Sequence, residues 1–327
     1  MCTKAFSVDW TNKLLTDREG EADGMFKQFM KASRMKVMPV ILIPIGLGAA
    51  GAYVWKDEFH PLMLLIALVG GGAIHLFSNM INDLWDYKSG ADEAAKATEG
   101  AISTNSGYLT NGVWSIARFA AITWTMFGIA AASGIALAFM SGWGVLAFAA
   151  IGGLIAYFYV APPIKLGYRG KGYSEAAILL SFGVLPVMGS YYVQTSQLDY
   201  RALLLSLPIG LMTTLILYNH HFLHWRADKQ AGKRTLVVVL GENNALKFSK
   251  LLLLLALISL IVCVLAGALP IYALLALLTA IPVIKVFRGL KPTNESIAYV
   301  PLMGSSVKAS MRCGVLLILF LIVQGMI

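Results

Sequence analysis

Residues 61–92 read PLMLLIALVGGGAIHLFSNMINDLWDYKSGAD, an apolar run that ends in a cluster of asparagines and aspartates. About 20 apolar residues in a row cross the hydrocarbon of a bilayer as a helix, so residues 61–81 predict a transmembrane span. The polar residues continue the helical spacing beyond it. Asn82 and Asp86 are i,i+4 neighbours, Asp83 and Asp86 are i,i+3, and Asn79 lies one turn earlier. Their oxygens share one face, and hard oxygens on one face, with room for water and phosphate, suit magnesium. Carboxylates at a helix C-terminus also oppose the macrodipole, which favours a cation beside them over a bare solvated helix end.

The rest of the chain repeats the apolar pattern. Of its 327 residues 58% are hydrophobic and 13% charged, which excludes a soluble domain with a wetted surface. Further spans fall near 36–55, 117–140, 144–163, 174–193, 202–221, 248–268, 270–287 and 309–327, giving an all-α integral membrane protein of nine transmembrane helices. Residues 1–35 form an N-terminal arm ahead of this 36–327 domain, with no order of residues typical of a cleavable signal. From Met25 to Met38, Met25, Phe26, Phe29 and Met30 stand against Lys27, Lys31, Arg34 and Lys36. Such a segment lies on an anionic membrane surface or serves as a plain solvated lead-in. Cys2, Cys263 and Cys313 have no spacing suited to a disulfide framework or a zinc site.

Charge placement sets the orientation. All of the 26 lysines and arginines except Lys56 and Arg201 fall before the first span, in the even-numbered loops or within the span ends that border them. By the positive-inside rule the N-terminus and those loops are cytoplasmic, and an odd number of spans puts Ile327 outside. The formal charge of +9 therefore calls for no nucleic-acid partner, because topology and an anionic substrate account for it.

Chemistry concentrates on that charged face. The sixth span ends in Asn219-His-His-Phe-Leu-His224-Trp-Arg-Ala-Asp228-Lys229-Gln-Ala-Gly-Lys233-Arg234-Thr235, where His220, His224 and Asp228 repeat at i,i+4,i+8. Two facing helix ends of this kind can hold metals between them, while Lys233 and Arg234 after a glycine suit a diphosphate. Aromatic packing at the interface, or a zinc site from His220 or His221 with His224 and Asp228, are the other readings of the histidines. The fourth span ends in Tyr157-Phe-Tyr159-Val-Ala-Pro-Pro163-Ile-Lys165-Leu-Gly-Tyr168-Arg169-Gly-Lys171. Prolines stop that helix, and Lys165, Arg169 and Lys171 provide either an anion site or an ordinary positive-inside loop.

Four segments together carry a resemblance. Asn-Asp-x-x-Asp-Tyr-x-x-Gly-x-Asp at 82–92, Pro-Pro-x-x-Leu-Gly-Tyr-Arg-Gly at 162–170, Gly-Ser-Tyr-Tyr-Val-Gln-Thr at 189–195 and Asp-x-x-x-Gly-Lys-Arg-Thr-Leu at 228–236 resemble the UbiA superfamily of membrane prenyltransferases. The third segment, and Asp92 six residues after Asp86, are most similar to its MenA-like naphthoate branch. The resemblance implies a helical bundle with a central cavity open to lipid and a cytoplasmic cap. It implies magnesium-dependent transfer of a polyprenyl chain from its diphosphate to an aromatic acceptor, here a dihydroxynaphthoate for menaquinone-type quinones at the inner membrane. Asn82, Asp83, Asp86 and Asp228, with Asp92 and His224, would then hold magnesium. Lys165, Arg169, Lys171, Lys229, Lys233 and Arg234 would neutralise the diphosphate, and Tyr159 would shelter the carbocation. Two departures stand out. His224 occupies the place of an acid expected four residues before Asp228, and nothing basic lies between Lys96 and Ser106-Gly107. The alternatives are a related transferase with another acceptor or a catalytically silent isoprenoid-binding relative.

Overall fold

The computed structural model describes residues 24–90 and 105–327; Asp92 and the first 23 residues of the arm lie outside that description. Among the described residues every regular element is helical. Helix α1, Met25–Ala32, exposes Met25 and Phe26. Arg34 then adopts a left-handed backbone (φ 55) and turns the chain into α2, Pro39–Lys56. Helix α3, Pro61–Lys88, is continuous, so Asn82, Asp83 and Asp86 belong to the spanning helix itself. Prolines open both helices at a position where the missing N–H costs nothing. Next come α4, Ile116–Ser141, α5, Gly144–Phe158, α6, Tyr173–Thr195, and α7, Tyr200–His221. The short helices α8, Trp225–Gln230, and α9, Leu236–Leu240, lead to α10, Glu242–Leu265, α11, Ile271–Gly289, and α12, Ser296–Met326.

Eight of these helices are long and apolar enough to cross a membrane. The remaining apolar helix, α5, has 15 residues, about 22 Å at 1.5 Å per residue, short of a hydrocarbon core of about 30 Å. The nine expected spans are thus eight full-length helices and one short one. Several boundaries differ from expectation, among them α10, which begins at Glu242 rather than near 248. Helix α5 stops at Phe158 rather than near 163, ahead of Pro162 and Pro163. The last span begins at Ser296 rather than near 309. Its serines lower the local hydropathy but do not break the helix, because Ser305 and Ser306 donate to the Leu302 carbonyl at 3.0 and 2.8 Å.

Helices in lipid have little hydrophobic drive to associate, and close approach of small residues takes its place. A Cβ on Gly183 of α6 would lie 2.7 Å from the Cα of Gly210 on α7, so both positions must be bare. At this crossing α6 widens into a π turn, Leu180–Val184. Helix α7 runs through the largest core with Leu205, Ile209, Met212, Leu215 and Tyr218, whereas α10 presents Leu251, Leu254, Ile258 and Ile261 outward, as a lipid-facing helix would. A second cluster packs Phe77, Met80, Ile81 and Leu84 against Tyr108, Trp114, Phe119 and Ala32. It fixes the polar end of α3 against α1 and the α3–α4 connection.

Candidate active site

The polar end of α3 is held by residues from four distant segments. Asn79 donates to the Ser33 carbonyl at 3.1 Å and sits 3.3 Å from His75 Nε2. Asp83 is buried, ion-paired to Arg34, and accepts the Ser106 N–H at 2.9 Å. Asp86, one turn on, accepts the Tyr168 hydroxyl and lies 3.4 Å from Lys233 Nζ. That ammonium also stands 4.5 Å over the Tyr168 ring. One carboxylate therefore gathers α3, the α5–α6 loop and the α8–α9 loop.

Local backbone makes this gathering possible. The Arg34 arm and Lys165 use left-handed φ values of 55 and 50, a costly choice for side chains other than glycine. Gly170 has φ 66, and a Cβ there would meet the Arg234 carbonyl oxygen at 2.8 Å, so only glycine lets the two loops touch. The Arg234 N–H donates to the Tyr168 carbonyl at 3.2 Å across the same contact.

Helix α7 ends at His221 and α8 begins at Trp225, so His220, His224 and Asp228 do not follow one another on a single helix. They are still brought together: the His220 and His224 rings are 4.7 Å apart, and His224 Nε2 lies 3.8 Å from Asp228. Burial, then the neighbouring histidines and cations, holds His224 well below the ordinary imidazole value, so it is neutral. Burial, reinforced by the charge of Asp86 and opposed by Lys233, pushes the Asp228 carboxyl up to about 6. Burial and then the Asp86 charge keep Tyr168 far above the usual phenol range, so it remains a donor. The Tyr159 hydroxyl is buried without a partner and is raised in the same way, by burial and by the charges of Glu175, Asp228 and Asp86. Among the described residues no three His, Cys, Asp or Glu side chains form a metal cage, so the zinc reading of the histidines is not assembled.

A cavity of ≈ 100 Å³ opens beside this cluster, lined by Trp85, Asp86, Ser89, Pro162, Lys165 and Tyr168. The other cations stand further out. Arg169 folds back on its own loop, donating to the Ile164 and Pro163 carbonyls at 2.5 and 3.2 Å. Lys171, Lys229 and Arg234 are exposed, and Asn82 is half-buried one turn before Asp86. Arg34 and Tyr168 were not singled out from the sequence for the contacts they make here.

Residues 41–303 match the model of the UbiA prenyltransferase family. The chain belongs to that family. It is 29% identical over 295 residues to the 1,4-dihydroxy-2-naphthoate octaprenyltransferase of Escherichia coli, covering 89% of this chain and 94% of that one. Identity is also 29% over 217 residues to the 2-carboxy-1,4-naphthoquinone phytyltransferase of Synechocystis, covering 66% of this chain and 67% of that protein. A UbiA homologue from Archaeoglobus fulgidus, solved with GPP and Mg2+, superposes with a TM-score of 0.62 at 16% identity, covering 89% of this chain and 98% of that one. The UbiA fold expected from the four motifs is therefore present, in a multi-pass membrane protein.

Proposed function

We propose that this UbiA-family enzyme transfers a polyprenyl chain from polyprenyl diphosphate to a dihydroxynaphthoate-type acceptor, a step of menaquinone-type quinone synthesis, at the cytoplasmic face of the inner membrane. The observation that carries the proposal is Asp86, held between Lys233 and Tyr168 beside a buried Asp228 and a small cavity. The naphthoate-specific names of relatives spanning most of the chain support the acceptor class.

Magnesium fits the donor set, because it asks for one or two carboxylates plus water and substrate phosphate rather than an all-protein cage. Asp86 and Asp228 would hold it with Asn82, and Asp83, Asp92 and His224 are the further ligands the motifs suggest. Bound there, it would serve as a Lewis acid on the departing diphosphate. The chain's own groups do the rest. Lys165 lines the cavity and Lys233 stands behind its Asp86 and Tyr168 walls as positive charges, while Tyr168 offers its hydroxyl on the anionic side. Arg169, Lys171, Lys229 and Arg234, further out on the adjoining loops, would draw the diphosphate in by their charge. Tyr159 and Trp85 present aromatic faces to the allylic carbocation.

Purified protein given geranyl diphosphate and dihydroxynaphthoate should form prenylated naphthol, and chelation should stop it. Absence of product with any naphthoate or benzoate acceptor would refute the reading. Cysteine labelling at Lys233 only from the cell exterior would refute the placement.

A further inference from the structure

The first turn of α6 carries a buried carboxylate with no role so far. This is Glu175, 6% exposed. Its Oε2 accepts the Ser174 hydroxyl at 2.7 Å, while Oε1 is buried without a partner. Among the described residues no cation pairs with it.

Two hydroxyls in the same state lie within electrostatic reach of it. Tyr159, just past the end of α5, feels the charges of Glu175, Asp228 and Asp86 together, so its hydroxyl is near both the diphosphate-side acids and Glu175. Tyr218 on α7 is fully buried and interacts with the Glu175 charge. Both hydroxyls are buried without partners. Three such groups in one neighbourhood are costly in a finished core, and they mark where a ligand's polar atoms belong.

The chemistry selects the ligand. A free carboxylate oxygen repels a diphosphate, has no affinity for a prenyl chain, and here belongs to no group of metal-holding side chains. It requires a donor. We propose that Glu175 receives the phenolic hydroxyl of the aromatic acceptor, with the Tyr159 and Tyr218 hydroxyls completing the polar contacts of the ring. This inference rests on the prenyl-transfer reading. Glu175 thereby acts as an acceptor-binding residue that orients the ring and, through a charge-assisted hydrogen bond, enriches its reacting carbon in electrons.

The test is binding, without turnover. Dihydroxynaphthoate, its methyl ether and geranyl diphosphate are titrated separately into detergent-purified wild type, Glu175→Gln and Glu175→Asp. Glu175→Gln should weaken dihydroxynaphthoate about tenfold to a hundredfold, the range for a lost charge-assisted hydrogen bond, and leave geranyl diphosphate unchanged. The methyl ether should bind wild type and Glu175→Gln equally weakly, which no loss of packing would produce. Glu175→Asp should fall between wild type and Glu175→Gln for dihydroxynaphthoate. Undiminished dihydroxynaphthoate binding in Glu175→Gln overturns the inference and leaves the function standing, as does equal loss of both substrates in both variants. Failure of wild type to bind any naphthoate refutes the proposed function and the inference with it.

Discussion

Asp228→Asn should make the metal-free protein more stable while removing its activity. In the folded chain burial pushes the Asp228 carboxyl from 3.8 up to about 6. A carboxyl raised on folding binds more protons in the native state, so its ionisation opposes folding above the folded value. The gap amounts to about 3 kcal/mol at neutral pH. That cost is fully present above pH 6, shrinks as pH falls, and is gone below the ordinary value of 3.8. Asparagine keeps the side chain's size and leaves the Lys233–Asp86 pair in place, so the variant should gain most of that amount. In a chain of this size the gain is on the order of 5 °C in melting temperature. Thermal scans by intrinsic fluorescence, with chelator, at steps from pH 7.5 down to pH 4.5 measure it. The advantage of the variant should diminish steadily below pH 6. A variant less stable than wild type at pH 7.5, or a gain that does not vary with pH, would refute the argument.

Four further outcomes follow from the same geometry. Asp86→Ala removes the carboxylate shared by Lys233 and Tyr168 and should lower prenyl transfer about a hundredfold or more in a radiolabelled-substrate assay; near-normal turnover would count against the site. Arg34→Ala leaves Asp83 buried and unpaired and should destabilise by about 3 kcal/mol, whereas the Arg34→Ala, Asp83→Asn double variant should recover much of the loss, a coupling read from thermal melts. Gly183→Ala forces a methyl against Gly210 and should cost about 1–3 kcal/mol by the same method. Neutral His224 does not titrate near pH 6.5, so His224→Leu should leave the acid limb of the kcat/KM profile where the wild type has it.

Much of this architecture was legible because a bilayer simplifies the reading. Length and hydropathy alone located α2, α4, α6 and α7 to within a few residues. The period of Asn79, Asn82, Asp83 and Asp86 placed four polar groups on one stretch of α3. The start of α12 was obscured because serines read as polar, although each hydroxyl can satisfy itself on a carbonyl one turn back. The histidine repeat read as one helix because spacing does not reveal the break between α7 and α8. Least legible were the pairings across loops. Arg34 reaching Asp83, and Lys233 reaching Asp86, depend on tertiary approach over 49 and 147 residues. Glu175 read as one acid among several on the charged face, since the lack of a partner is visible only once the bundle has closed.

The pairings also divide the labour among carboxylates that look alike in the motif. Asp83 is buried and held by both a guanidinium and a backbone N–H, so ligating a cation would require the Arg34 arm to give way. Asp86 is partly open, and its ammonium partner lies at 3.4 Å on a loop that turns at Gly232, a looser and more exchangeable contact. Asp228 is buried with, among the described residues, no lysine or arginine within ion-pairing distance, and carries the cost of its own charge. Of the three, Asp228 gains most from an arriving cation and Asp83 gains least, because stabilisation by a ligand is greatest where the resting state is least satisfied. The same reasoning links the two halves of the site. Asp228 and Glu175 are both buried carboxylates short of a partner, and Tyr159 senses both charges. One shortage suits a metal-bound diphosphate and the other a phenol, which would bring the two substrates together around a single tyrosine.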